Sequence, residues 1–214
     1  MASRAFADYE YNVMDARRLL QAHALMVKGK PGKKGFGHIT RSGVVMLCAA
    51  WESYQEAVIV EGVKFVAGEM ASPKNLPKSV KKYLSSHVKT DKNELRPMDL
   101  AGDGWRDLYV GLAKSSTESL NTPKCERLVE LYDRLLGIAD VATLWTVGGQ
   151  AIDDFVSVRG EIAHNGRNAP YTKASTLRAY IETIDATVRE HDNKLCDLLK
   201  GTAAAARQPW RKTA

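Results

Sequence analysis

Apolar residues recur at helical spacing along most of the chain. From Arg4 to Lys28, Phe6, Val13, Leu19, Leu20 and Leu25 return at roughly helical intervals with charges between them, which predicts an amphipathic helix. The stretch GKPGKKGFG, Gly29 to Gly37, breaks that helix and reads as a basic, glycine-rich loop over 29–38. A second long helix is predicted from about Ile39 to Ala67. Its segment VVMLCAAWESYQEAVIV is apolar almost all round at its start, so it should be the central, most buried helix.

Farther along, Ser72-Pro73 and Leu76-Pro77 punctuate the chain, and a shorter helix follows from Pro77 through Ser85. Between Lys89 and Trp105 the periodic signal is weak, and Pro97, Gly102 and Gly104 predict loop. Asn121-Thr122-Pro123 reads as a capped helix start, opening a helix from Cys125 to Leu136 that stops at Gly137. Gly148-Gly149 precedes a helix of about Gln150 to His164, which Asn165-Gly166 ends. The last helix runs from about Lys173 to Lys200, with Leu177, Ile181, Ile184, Val188, Leu195 and Leu199 as its stripe. From Gly201 onward no long stripe remains, and the basic tail 201–214 is expected to be disordered. With no hairpin signal and no repeat, the pattern predicts an all-α fold: one helical-bundle domain over 1–200, built of long antiparallel helices.

Composition narrows the class. The 214 residues, 44% of them hydrophobic, are enough for one sizeable core or two small ones. No apolar run approaches the ~20 residues that cross a bilayer, and the N-terminus has no apolar signal region. Cys48, Cys125 and Cys196 are odd in number and widely spaced, which suits free thiols in a reducing compartment. A cytoplasmic protein without membrane contact is expected. The net charge of +6 is segregated: Lys28–Arg41 carries +5, Lys74–Arg96 carries +5 and 200–214 carries +4, leaving the remainder acidic. Bases gathered in loops and a tail fit either a polyanion footprint or a solvated lysine-rich surface.

The usual catalytic motifs are missing. Five histidines (His23, His38, His87, His164, His191) and the three cysteines never fall at zinc-ligand spacing, so neither a metal nor a cofactor is expected. GKKGFG has no strand before it and is a poor nucleotide loop. One constellation stands out, in FVSVRGEIAHNG, Phe155 to Gly166. Ile152, Phe155, Val156 and Ala163 define the expected inward face, and Arg159 lies beside it. An arginine there needs an acid, a cleft or a partner chain. His164 comes five residues later, about 140° round an ideal helix. The two converge on one cleft only if the helix ends near His164; Asn165-Gly166 supply that end, so one cation and one imidazole are expected to face one cleft. The plainer reading is an Arg paired with an acid such as Glu52 and a histidine favoured at a helix C-terminus.

The order of elements then carries more weight than any one of them. A long helix, a glycine-rich loop, a buried helix with Trp51-Glu52, the Leu76-Pro77 segment, a helix ending RGEIAHNG and a final amphipathic helix follow one another. This resembles the HEPN superfamily, and within it the RiboL-PSP-HEPN group, from roughly Val13 to Lys200. Arg159 and His164 match its R-x4-6-H signature. The sequence departs at Gly160, where the family usually has a polar residue, and at Asn165, where glycine commonly follows the histidine.

The resemblance implies a bundle that dimerises about a two-fold, bringing two such motifs into one cleft. It implies a metal-independent endoribonuclease of toxin–antitoxin or phage-defence systems, or a catalytically silent module that binds RNA, a nucleotide or a protein partner. On this reading Arg159 and His164 are catalytic, Glu52 and Asn165 support them, and RNA is the substrate. An antitoxin or defence-system protein is the expected partner. Lys33, Lys34 and Arg41 are candidates for phosphate contact, or else a solvated loop. Trp51 and Tyr54 read as core, not as platforms for stacking bases.

Overall fold

The computed structural model describes residues 1–28 and 35–213. These form seven α-helices and no strand: α1 (Arg4–Val27), α2 (Gly37–Glu69), α3 (Lys78–Thr90), α4 (Gly104–Thr117), α5 (Cys125–Leu136), α6 (Gly148–Asn165) and α7 (Ala174–Thr202). The fold is thus all-α, as the periodicity predicts.

α2 is the hub, packed against α1, α4, α5, α6 and α7. Val44, Leu47, Cys48, Trp51, Val58, Ile59, Val63 and Val66 are all fully buried along it, which follows from its being apolar nearly all round. α1 runs antiparallel to α2. Glu61 accepts from the backbone N–H groups of Arg4 and Ala5, both at 3.1 Å, while Ser3 Oγ accepts from Phe6 N at 2.9 Å. An acid from another helix thereby satisfies amide donors that a helix start leaves over. α7 runs parallel to α2 and nests on its glycines: a Cβ at Gly43 would strike Leu177, and one at Gly62 would lie 3.1 Å from Leu199. α6 lies antiparallel to α2.

Four features differ from the sequence reading. α4 was not foreseen. It buries Trp105, Leu108, Tyr109, Leu112 and Ala113, a pattern of alternating steps of three and one that the neighbouring glycines obscure. α5 has Lys124 as its cap residue with no side-chain cap bond, in place of the Asn121-Thr122-Pro123 cap; Asp153 of α6 reaches over to accept from Cys125 N at 2.7 Å. Ala163 is exposed, and Ile162 is buried in its stead, because the end of α6 leans on the start of α2 through Ile162.

The tail is the fourth. Its described residues are placed and packed where disorder was expected. Trp210 is only 7% exposed, and its indole N–H donates to the Asp192 carbonyl at 3.1 Å. Arg211 N donates to the Met1 carbonyl at 2.9 Å. One aromatic anchor does this without any periodic stripe. Arg207 pairs with Glu69 at 2.8 Å and Lys212 with Asp197 at 2.5 Å, so two of the tail's bases are already matched by acids.

A polar network crosses the core. Trp145 Nε1 donates to His191 Nδ1 at 2.7 Å, so the proton of a neutral His191 sits on Nε2, facing the Tyr132 hydroxyl at 2.8 Å. Tyr132 in turn donates to Gln55 Oε1 at 2.8 Å. Burial pushes His191 down to about 3, with nearby Glu190 opposing. Next to it, burial pushes the Asp192 carboxyl up to about 6, although the Ser3 hydroxyl and amide donate to it. Trp51 and Tyr54 belong to this core, Trp51 with its ring 5.6 Å from Trp145.

Candidate active site

Arg159 sits in the middle of α6 and points across to α2. Its Nη2 donates to Glu52 Oε2 at 3.0 Å and to the Asn121 carbonyl at 2.9 Å. The Cys48 thiol lies beside it and is the largest of the influences that raise the pKa of the guanidinium. Cys48 and Glu52 are four residues apart and therefore share one face of α2. Both side chains of the ion pair are 25% exposed, so the charge is neither solvated freely nor sealed in. Burial raises the Glu52 carboxyl and Arg159 works against it. Burial likewise raises the Cys48 thiol, again opposed by Arg159.

The anticipated acid for Arg159 is thus in place, 107 positions away in sequence. Cys48 and the Asn121 carbonyl were not anticipated. The first was legible as the residue one turn before Glu52. The second is a backbone contact, which residue types do not encode.

His164 lies in the last turn of α6 and is exposed, and Asn165 is the final residue of that helix, also exposed. The helix does not end early enough to swing His164 toward Arg159. Five helical residues separate them by ~7.5 Å along the axis and ~140° around it. Gly166 closes the helix with φ +52°, a left-handed region that glycine enters without strain. Gly160 faces open space: nothing lies within 4 Å of where its Cβ would be.

Arg41, half-buried on α2, lines an open groove of about 290 Å³ with His38, Ser42, Met46, Ile162 and Gly166. This puts it at the His164 end of α6. Lys33 and Lys34 lie outside the described residues. Among the described residues, no three His, Cys, Asp or Glu side chains gather as a metal site would need, and no helix is long and apolar enough to cross a membrane.

No curated protein and no solved structure gives a significant match to this chain. The family model described as RiboL-PSP-HEPN matches residues 15–197, which takes in Glu52 on α2 and both Arg159 and His164 on α6. With most of its length so matched, the chain belongs to the RiboL-PSP-HEPN family.

Proposed function

We propose that the protein is a metal-independent endoribonuclease of HEPN type. The observation that carries this reading is the state of α6. Arg159 is held by two acceptors, the Glu52 carboxylate of α2 and the Asn121 carbonyl, yet is still a quarter exposed, and an exposed histidine stands in the last turn of the same helix.

RNA brings its own nucleophile, the 2′-hydroxyl. An enzyme has only to take that proton, stabilise the charged phosphorane and return a proton to the 5′ oxygen that leaves. An imidazole can both take and give a proton near neutral pH, which assigns the acid–base role to His164. A permanently charged, planar guanidinium suits the phosphorane oxygens, which assigns that role to Arg159. Glu52 holds Arg159 in place, and Asn165 offers an exposed amide beside His164. The products are a 2′,3′-cyclic phosphate and a 5′-hydroxyl.

One chain's Arg159 and His164 diverge around α6, so a second copy related by a two-fold supplies the complement at one scissile phosphate. A toxin or defence effector built this way is held in check by a partner protein. A second reading, a non-catalytic module binding RNA, a nucleotide or a protein, is favoured by one observation. Gly160 provides no side chain beside Arg159, where relatives usually carry a polar one.

The test is incubation of the purified chain with total RNA in EDTA, alongside His164→Ala. Cleavage by the wild type that the folded variant has lost supports the nuclease. A wild type that cuts nothing leaves the binding module, and a folded variant that cuts as well as wild type removes His164 from the site. Light scattering giving a clean 23.6 kDa species counts against the two-fold.

A further inference from the structure

The connection between α6 and α7 is fastened to the beginning of α2, and that fastening builds a second feature next to the candidate site. Thr40 Oγ1 donates to the Thr172 carbonyl at 2.7 Å, and both threonines are buried. Tyr171, one residue before, is thereby carried over Gly37. A Cβ at Gly37 would lie 3.0 and 3.1 Å from Tyr171 Cδ2 and Cε2 and 3.1 Å from Arg41 Nη1. A glycine there lets the phenol ring and the guanidinium close over the same point a few tenths of an ångström more tightly than a Cβ would allow. The ring is nonetheless open to solvent, with Tyr171 54% exposed.

His38, exposed on the first turn of α2, stands one residue beyond Gly37 and lines the same groove as Arg41 and Gly166. Its ring centroid is 6.4 Å from that of Phe36. Arg41 makes no ion pair among the described residues. Of the described chain that meets here, 35–41 carries Arg41 and no acid, and 162–173 carries Arg167 and Lys173 and no acid, while Glu161 lines the pocket on the other side of Tyr171. A solvent-facing aromatic ring costs hydration and is worth little to the fold. Placed beside a guanidinium that makes no ion pair among the described residues, it has the make-up of a stacking platform with a phosphate contact, the combination by which proteins hold unpaired nucleotides.

We propose that Tyr171, His38 and Arg41 form a binding site for an unpaired nucleotide of single-stranded RNA, base on Tyr171 and backbone phosphate on Arg41. The site adjoins the His164 end of α6, so the strand held there runs toward the scissile position. This rests on the ribonuclease reading for its substrate class, but binding alone tests it.

The experiment uses the full chain carrying His164→Ala, so that RNA survives, and the anisotropy of a labelled, unstructured single-stranded RNA. Tyr171→Ala should weaken binding ~10-fold, and Tyr171→Phe should leave it unchanged. Arg41→Gln should weaken it and reduce the slope of log affinity against log salt by ~0.7. The same RNA as a duplex should bind with no dependence on Tyr171. Equal affinity of Tyr171→Ala and its parent for the single strand overturns the site, and so does an equal loss on the duplex. If wild type never cleaves RNA yet Tyr171→Ala still loses the single strand selectively, the nucleotide site stands and the nuclease falls.

Discussion

Arg159 and Glu52 hold each other 3.0 Å apart across α6 and α2, and the pairing has two consequences of opposite sign for function. It orients the guanidinium, and it also offsets part of the charge that a phosphate would meet. Glu52→Ala should lower stability by ~1.5–3 kcal/mol, since a half-buried charge loses a charged hydrogen-bond partner. It should lower RNA cleavage as well. Glu52→Gln keeps an acceptor and should recover most of the stability. Urea melts and cleavage rates of the two variants separate these effects: a Glu52→Ala protein as stable as wild type would mean the pair does not hold the helices.

His164 makes no such contribution. Because it is exposed at a helix end, His164→Ala should change unfolding free energy by no more than ~0.5 kcal/mol while reducing cleavage by ~10²- to 10⁴-fold. A large drop in melting temperature would show that the side chain is packed, as against a second copy, and not free.

Gly160 sits inside a helix with open space around it. Gly160→Ala should therefore stabilise the fold by up to ~1 kcal/mol. Gly160→Asn should be tolerated and, by restoring the polar residue usual in the family, should not reduce cleavage. Differential scanning calorimetry checks the first point. Destabilisation by a single methyl would reveal that this face is covered in solution.

Two neighbouring residues on α7 should shape the dependence of stability on pH in opposite directions. Asp192, held up at about 6 against an ordinary 3.8, keeps its proton in the folded chain between about pH 4 and 6 while the unfolded chain has released it. Its stabilising contribution is complete below pH 4 and is lost as pH rises to 6. His191, pushed down to about 3 from 6.5, stays neutral in the fold while the unfolded chain is protonated. Its contribution is present above pH 6.5 and is lost as pH falls toward 3. Between pH 4 and 6 the slopes oppose each other, each ~1.4 kcal/mol per pH unit. Asp192→Asn removes one of them, so the variant's melting temperature should climb from pH 4 to 6 more steeply than wild type. Parallel curves would show that Asp192 titrates normally.

Trp210→Ala should cost ~3 kcal/mol, the usual scale for emptying a buried aromatic site, whereas a disordered tail would lose nothing. Equilibrium unfolding in urea distinguishes the two.

How much of this was legible follows from what each feature depends on. The α7 stripe of Leu177, Ile181, Ile184, Val188, Leu195 and Leu199 is buried throughout, because a long periodic face can satisfy itself in only one way. Arg159 pairing with Glu52 was legible for a similar reason: a cation beside an apolar face needs an acid on the helix opposite. α4 escaped because Gly104 and Gly111 and the preceding Pro97 and Gly102 dilute its signal, although Trp105, Leu108, Tyr109 and Leu112 carry the right spacing. The tail escaped because its placement rests on a single tryptophan and a handful of main-chain bonds. Tyr171 escaped because nothing in a sequence says which glycine a distant ring will cover.

The fastening of Arg211 to Met1 places both ends of the described chain at one pole of the bundle, near where Glu61 caps α1 and Leu199 meets Gly62. Gly43, Arg41 and the end of α6 lie at the other pole, some 19 helical residues or ~28 Å away along α2. A tether leaving either terminus therefore departs from the far side of the molecule. Whatever is joined there, be it an affinity handle, a fluorophore or a surface linkage, leaves the groove beside Arg41 and Tyr171 unobstructed, so immobilising the chain by either end keeps that pole directed into solution.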